Sequence, residues 1–451
     1  MRPVANSGER LSKTRLGAYS LAEFPSNMMT TPVALFLPAF YTQDLGLSLT
    51  AVGLILMGAR VWDVATDPII GYFGDRTRTP IGRRKPWILA ALPMMMVAVY
   101  FLFLPEGEAV TNSYLFGWIM LLYLGWTFLN IPYYAWGAEL SVDYQERTRI
   151  TGWRTMIGVS GTVFAILLPN IGQTLFDFGG RSGETLYVIG IGILWLLPLC
   201  LLTPIVAVPE KDNFVPSRIP IFEGLKIMLS NAAFRRLVAC YFFTYLAVAL
   251  TAPLFVLFIN HVIEDPTAAP RVVLGYYVAN MLGIPLWMWL ARKTDKHTSW
   301  LTSLLIMGIT FPCFMFLGSG DLWLAAGLLF IVGLGGGNLN VVPASMKADV
   351  IDLDTLESGE ERAGLFFAAW STATKVVLAV GVGISLPLLD LFGFDPSIKN
   401  GPDELFALQA YYSFVPVIFY LLAAYLLLRW PITREKHSEI RAQLATQEGS
   451  A

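Results

Sequence analysis

Apolar runs of about 18 residues or more follow one another from end to end of this chain, separated by short breaks rich in charge, glycine and proline. Each run is long enough to cross a hydrocarbon core roughly 30 Å thick. Read against the breaks, the pattern predicts spans over 16–42, 49–73, 86–104, 113–140, 150–176, 185–207, 232–260, 270–291, 299–317, 321–345, 363–392 and 405–430. The fold class is therefore an all-α polytopic membrane protein with twelve transmembrane helices. The longest polar break, PEKDNFVPSRIPIFEGLK from Pro209 to Lys226, separates six spans from six. It predicts a six-helix bundle over 1–208, a linker over 209–231, a second six-helix bundle over 232–430 and a tail over 431–451.

Composition agrees. A chain of 451 residues has the length of two or three soluble domains, but 55% of it is hydrophobic and only 14% charged, against roughly 25% charged in soluble proteins. Arg2, Arg10, Lys13 and Arg15 open the chain without a short apolar core and cleavage site, so no removable signal peptide is expected. No basic tract forms a nucleic-acid patch. Cys200, Cys240 and Cys313 lack C-x-x-C spacing and imply neither disulfide nor metal. His261, His297 and His437 fall in loops or the tail, which assembles no histidine-based catalyst, and an enzyme is not expected.

Basic residues set the orientation. Arg76, Arg78, Arg83, Arg84 and Lys85 follow the second span, Arg147 and Arg149 the fourth, Lys211, Arg218, Lys226, Arg235 and Arg236 the sixth, and Arg292, Lys293 and Lys296 the eighth. The opposite side carries Arg181, Arg271 and Lys399. Both termini are expected to be cytoplasmic. The second span ends in GYFGDRTRTPIGRRK and the eighth in ARKTDK, a weak echo between the halves. Helical transporters are commonly built from two such repeats, with substrate held near mid-membrane.

The candidate chemistry lies in ARVWDVATDPIIGYFGDRTRTPIGRRKPW, residues 59–87. A charge at the bilayer centre costs about 2.5–3.5 kcal/mol on insertion scales, so it marks a cavity or a partner. Asp63 and Asp67 are spaced i, i+4, on one face of the second span, and Arg60 lies three residues before Asp63. Two carboxylates against one guanidinium leave a net negative site. Either Lys375, in TATKVVLAVGVG on the eleventh span, or a bound Na⁺ or H⁺ completes it; Arg60, Asp63 and Lys375 then form a charge network. Thr66 and Thr127 are placed to add hydroxyl oxygens, which suit a hard cation. Glu23, Ser26 and Asn27 on the first span, and Asn130, Tyr133 and Tyr134 on the fourth, are positioned to line a cavity or bond neighbouring helices. Trp153 and Arg154 read as an interfacial pair at the start of the fifth span, and Trp370, about one turn from Lys375, is placed to stack on a sugar ring.

RVWDVATDPIIGYFGDRTRTPIGRRKPW resembles the span-two signature of the glycoside–pentoside–hexuronide:cation symporter family, the melibiose-permease-like branch of the major facilitator superfamily. ADVIDLDTLESGEERAGLFFAAWSTATKVVLAVG, with its D-x-x-D, G-E-x-R and span-eleven Lys, resembles the family's second signature, and NIPYYAWGAEL followed by ERTRITGWR a third region. The resemblance runs over residues 15–430. It implies the major facilitator fold and symport of a glycoside or related sugar with Na⁺ or H⁺ by alternating access, with no cofactor beyond the cation. Carried over by position, Asp63 and Asp67 are the cation-site carboxylates (metal ligands where the cation is Na⁺), Thr66 and Thr127 are neighbouring oxygens, and Arg154 and Lys375 face substrate or the charge network. Asn27 and Asn130 stand where melibiose permease has sugar-holding acids, and Tyr134 where it has Trp. An amide accepts fewer charge-assisted bonds than a carboxylate. That departure also fits a lysophospholipid, which an animal member of the broader family carries, as the alternative substrate. The loop residues Asp75, Arg76, Arg83 and Arg84 resemble a superfamily gating loop that braces the outward-open state. The expected partners are a small-molecule substrate and the lipid bilayer, with no nucleic acid; a monomer in the bacterial inner membrane is expected.

Overall fold

The computed structural model describes residues 10–105, 110–141, 144–178, 180–210, 231–358 and 363–448. The N-terminal 1–9, most of the expected linker (211–230) and the G-E-x-R stretch (359–362) lie outside the described residues. Among the described residues all regular elements are helical. Eleven helices among the described residues are long and apolar enough to cross a membrane. The second to sixth spans are Leu49–Arg76, Lys85–Phe103, Asn112–Glu139, Tyr144–Phe176 and Ser182–Ala207. The seventh to twelfth are Ala232–His261, Ala269–Lys293, Lys296–Phe316, Leu322–Ser358, Ala363–Leu391 and Pro402–Leu427. A broken first span brings the total to twelve, as the hydropathy pattern indicates, in an integral membrane protein.

The first span is broken because its prolines recur. Helices Lys13–Ser20 and Glu23–Thr31 lead into a π-helical turn at Pro32–Phe36, a short α segment Leu37–Ala39, and a second π turn at Phe40–Asp44. Pro25, Pro32 and Pro38 each remove a backbone donor, and the wider turns re-pair the carbonyls around them. The seventh span has a 3₁₀ turn at Ala252–Leu254, around Pro253. The tenth runs further than its hydropathy suggests. After a 3₁₀ turn at Gly337–Asn340 it continues as Val342–Ser358, because Met346, Lys347, Val350 and Asp354 keep a buried helical stripe inside a polar sequence.

The chain divides into two compact units, Met1–Pro216 with Pro396–Ile398, and Ser217–Asp395 with Lys399–Ala451. In the first unit the first span packs on the fifth, the second on the fourth and the third on the sixth. In the second unit the seventh packs on the eleventh, the eighth on the tenth and the ninth on the twelfth. The partners repeat with a shift of six, which gives the weak sequence echo a physical basis. Lipid tails are as apolar as Leu, so close backbone approach rather than hydrophobic burial joins helices here. Small residues supply it at equivalent pairs: a Cβ at Gly161 on the fifth span would collide with the Phe24 carbonyl on the first, and one at Gly381 on the eleventh with Ala249 on the seventh. Gly161→Ala is expected to destabilise by about 1–3 kcal/mol through overpacking. The check is a lower thermal midpoint in detergent, with Gly152→Ala, whose added Cβ meets nothing within 4 Å, as the silent control.

The second span starts at Ser48, whose hydroxyl accepts the Ala51 N–H at 3.1 Å. Its buried residues, Leu49, Val52, Leu56, Ala59, Asp63, Thr66 and Ile70, recur at alternating steps of three and four. Leu54, Val61, Trp62, Ile69 and Tyr72 are exposed, on the other side of the same helix. Asp63 and Thr66 therefore sit on the stripe that faces protein.

Candidate functional site

That stripe meets the fourth span, and the sequence candidates Asp63, Thr66 and Thr127 converge there. The Thr127 hydroxyl donates to Asp63 Oδ1 at 2.9 Å and lies 3.3 Å from the Thr66 hydroxyl, which itself is 3.2 Å from the Asp63 carbonyl. The Tyr123 carbonyl, one turn back, is a second acceptor for the Thr127 proton at 3.2 Å. Asp63 is 5% exposed. Arg60, one turn before it, lays its guanidinium 4.7 Å from the centre of the Tyr123 ring. Asp67, one turn after, is half-buried. The donor set of carboxylate and hydroxyl oxygens suits Na⁺ or a proton, and offers nothing to a soft metal.

A second polar cluster joins the first, fourth and fifth spans. The Tyr134 hydroxyl donates to Glu23 Oε1 at 3.2 Å, and Arg154 places its guanidinium 4.3 Å from the centre of the Tyr134 ring while acting electrostatically on Glu23. Asn27 donates to the Glu23 carbonyl at 3.1 Å. Trp126 Nε1 donates to Ser26 Oγ at 2.8 Å, and that hydroxyl faces Asn130 Oδ1 at 3.4 Å. Gly158 makes room: a Cβ there would come within 2.8 Å of both Asn27 Nδ2 and Glu23 Cγ. Asn27, Asn130, Tyr134 and Arg154 thus gather as one group in the first unit. Its acid, Glu23, reads from sequence only as a cavity-lining side chain; it lies one turn before Asn27, the signal that links them. Arg154 belongs with this cluster rather than with an interfacial anchor.

In the loop after the second span, Arg84 Nη2 lies 2.7 Å from Asp75 Oδ1 and 2.7 Å from Glu139 Oε1, and Arg83 Nη2 is 2.7 Å from the same Glu139 oxygen. Glu210 accepts the backbone N–H groups of Arg83 at 2.8 Å and Arg84 at 2.6 Å. Burial disfavours the Arg84 charge, but Glu139 and Asp75 outweigh it and hold its pKa above the usual arginine value. Gly82, at φ 123°, adopts backbone that other residues avoid, and a side chain there would run into Glu210. Arg76 stays outside this network, exposed and stacked on Tyr72 at 3.5 Å. Glu139 and Glu210 are the partners that sequence pattern does not single out.

Trp370 and Lys375 belong to the second unit. Trp370 packs 3.9 Å from the Tyr241 ring, and Lys375 is half-buried on the eleventh span. A cavity of about 400 Å³ in that unit lies where the tail helix Arg434–Glu448 meets the ends of the eighth and tenth spans. Its charged walls pair with one another: Lys296 Nζ is 2.7 Å from Asp349 Oδ1, and His437 Nε2 is 3.4 Å from the same oxygen and 3.0 Å from Asp352. It docks the tail and is remote in sequence from the intramembrane carboxylates.

The family model described as MFS/sugar transport protein matches residues 18–434. The chain belongs to that family. Relatives of this MFS protein include the sodium-dependent lysophosphatidylcholine symporter 1 of Gallus gallus, 26% identical over 97% of this chain and 90% of that protein. Another is the inner membrane symporter YicJ of Escherichia coli (strain K12), 25% identical over 96% of this chain and 95% of that one. Among solved structures, a bacterial homolog to the human lysosomal transporter Spinster matches with a TM-score of 0.63 at 14% identity, over 93% of this chain and 98% of that chain. That likeness carries the fold alone.

Proposed function

We infer that this MFS protein is a secondary active transporter that moves a glycoside or related sugar with Na⁺ or H⁺ by alternating access. The carrying observation is the Asp63–Thr127 contact in the middle of two apolar spans, one turn along the fourth span from Asn130. A buried carboxylate that accepts a hydroxyl proton able to turn away is a reversible cation site. When a cation takes Asp63, the Thr127 proton has the Tyr123 carbonyl to turn to, and the hydroxyl's lone pairs then face the cation. Asp67 and Thr66 complete the oxygen set. Thr127 and Asn130 share a rigid helix, so a shift at the cation cluster is felt at Glu23, Asn27, Asn130, Tyr134 and Arg154. That second cluster brings acceptors and donors together, as hydroxyl-bearing substrates require. A lysophospholipid is the second substrate reading, favoured by the likeness to the Gallus gallus symporter over nearly the whole chain. The working unit is a monomer in a bacterial inner membrane, with both termini cytoplasmic by the distribution of Lys and Arg.

The test is purified protein in liposomes with an imposed Na⁺ or H⁺ gradient and a panel of glycosides, uronates and lysophospholipids. One class should accumulate above its gradient-free level and, added alone, should drive cation movement. Transport that ignores both gradients, or a panel that moves no cation, overturns the reading.

A further inference from the structure

The cavity under the tail helix has two cations on its wall that its ion pairs do not use. Arg292, in the last turn of the eighth span, and Arg434, the first residue of the tail helix, both line it. The other charged groups there are engaged. Lys296 Nζ donates to both Asp349 oxygens at 2.7 Å. His437 faces Asp349 and Asp352, and Arg441 stands 3.6 Å from Asp352. Asp295 Oδ1 accepts the Arg434 backbone N–H at 2.9 Å, so this carboxylate is tied to the tail backbone rather than to a guanidinium. Arg434 Nη2 donates to the Arg292 carbonyl at 2.6 Å, which uses one of its side-chain donors and leaves the rest. Among the described residues the Arg292 guanidinium meets no acceptor, and neither arginine side chain is in an ion pair.

The space beside these arginines is large enough for a ligand. At about 400 Å³ it falls in the range of small-molecule sites, about 300–1,000 Å³. Met288, Val341 and Ile432 give it an apolar wall. A guanidinium is a planar fork that matches a phosphate through two parallel N–H···O bonds. A phosphate presents acceptor oxygens on more than one edge, so two arginines from different elements can hold the same group. Basic pockets between helices at the membrane surface take phosphate head groups in this way. Span ends meet both head groups and water, and a phosphate can arrive from either.

We propose that Arg292 and Arg434 form a site for a phosphate ester in this cavity, and that the bound phosphate fastens the tail helix to the end of the eighth span. The tail already docks by its apolar face, where Ile440 and Leu444 lie one turn apart and buried, and by His437. A phosphate between the two arginines adds a tie to a different element. This site is independent of what the protein transports. The shared chemistry has two sources, an anionic lipid head group and a soluble phosphate ester, and matched pairs separate them. Phosphatidylglycerol is paired with diacylglycerol, and glycerol 3-phosphate with glycerol. Each is added to delipidated full-length protein in dodecyl maltoside, a detergent without phosphate, in a phosphate-free buffer. Hydrogen exchange of the amides of Arg434–Glu448 reports how often the tail helix opens.

A ligand that binds only the docked tail slows this exchange about tenfold when present at about ten times its dissociation constant. Phosphatidylglycerol, glycerol 3-phosphate or both should do so, while diacylglycerol and glycerol leave the rate unchanged. Slowing by the lipid alone assigns the site to a head group, and slowing by the soluble ester alone to a cytosolic one; either supports the proposal. Arg292→Gln should abolish the slowing and leave the ligand-free rate as it is, because the tail uses only the Arg292 backbone carbonyl. Arg434→Gln should abolish it too, and if that change undocks the tail by itself, Arg292→Gln alone reads the result. Lys436→Gln removes one charge from the same helix outside the cavity, where Lys436 pairs with Glu439, and should keep the slowing. A phosphate that slows exchange no more than its neutral twin in either pair overturns the proposal. So does slowing that survives Arg292→Gln, or that Lys436→Gln removes equally, since that is a general attraction of anions to a basic surface.

Discussion

Asp63→Asn is expected to abolish concentrative uptake, leaving an internal substrate level no higher than the external one whatever cation gradient is imposed. Asparagine keeps the size of the side chain and an oxygen for the Thr127 proton, so the contact between the second and fourth spans survives. What is lost is the charge. An amide takes up no proton at working pH and holds Na⁺ far more weakly than a carboxylate does. The stripe from Leu49 to Ile70 still packs. Substrate exchange without a gradient and the thermal midpoint should both stay near wild type. Asp67→Asn should also uncouple transport. Normal accumulation in the Asp63→Asn protein would remove the carboxylate from the cation site.

Glu139→Ala should cost the most stability of any single change outside the membrane interior, about 3–5 kcal/mol, as loss of one partner from a buried ion pair does. One Glu139 oxygen lies 2.7 Å from both Arg83 and Arg84, whose side chains are 3% and 1% exposed. Removing it takes the shared carboxylate from two guanidinium groups that are out of water, while Asp75 stays on Arg84. The measurement is the thermal midpoint of the purified protein in detergent. Glu139→Gln keeps the shape but not the charge and should recover only part of the loss. Arg76→Ala, at the exposed residue stacked on Tyr72, should change little. A midpoint unchanged in Glu139→Ala would mean that the loop draws its order from Glu210 alone.

The meeting of Asp63 and Thr66 with Thr127 was legible because a charge is rare inside an apolar run, and because Asp63 and Thr66 share a helical face that any amphipathic reading finds. The twelve spans were legible for the same reason: length and hydropathy are local properties. Partnerships between distant helices were not. Glu139 closes the fourth span, where an interfacial charge is ordinary, and nothing nearby marks it as the shared counter-ion of two arginines. Beside Trp153, Arg154 reads as an anchor, and the family resemblance alone set it towards substrate or the charge network, because its companions Glu23 and Tyr134 come from two other spans. Lys347 fell past the end that hydropathy assigns to the tenth span. Asp349, Asp352 and Asp354 depress the apolar average there, although the helix and its buried stripe continue to Ser358.

The two π turns of the first span carry a consequence for how this chain tolerates change in length. Each π turn holds one residue more than an α turn would use. Losing one residue between Val33 and Leu35 can be absorbed by reverting to α geometry, with the flanking faces kept in phase. The same loss inside the unbroken helix Leu49–Arg76 has no such slack and turns everything beyond it by about 100°. Asp63 would then swing off the side where Thr127 waits. Drift in chain length is therefore open to the first span and closed to the second.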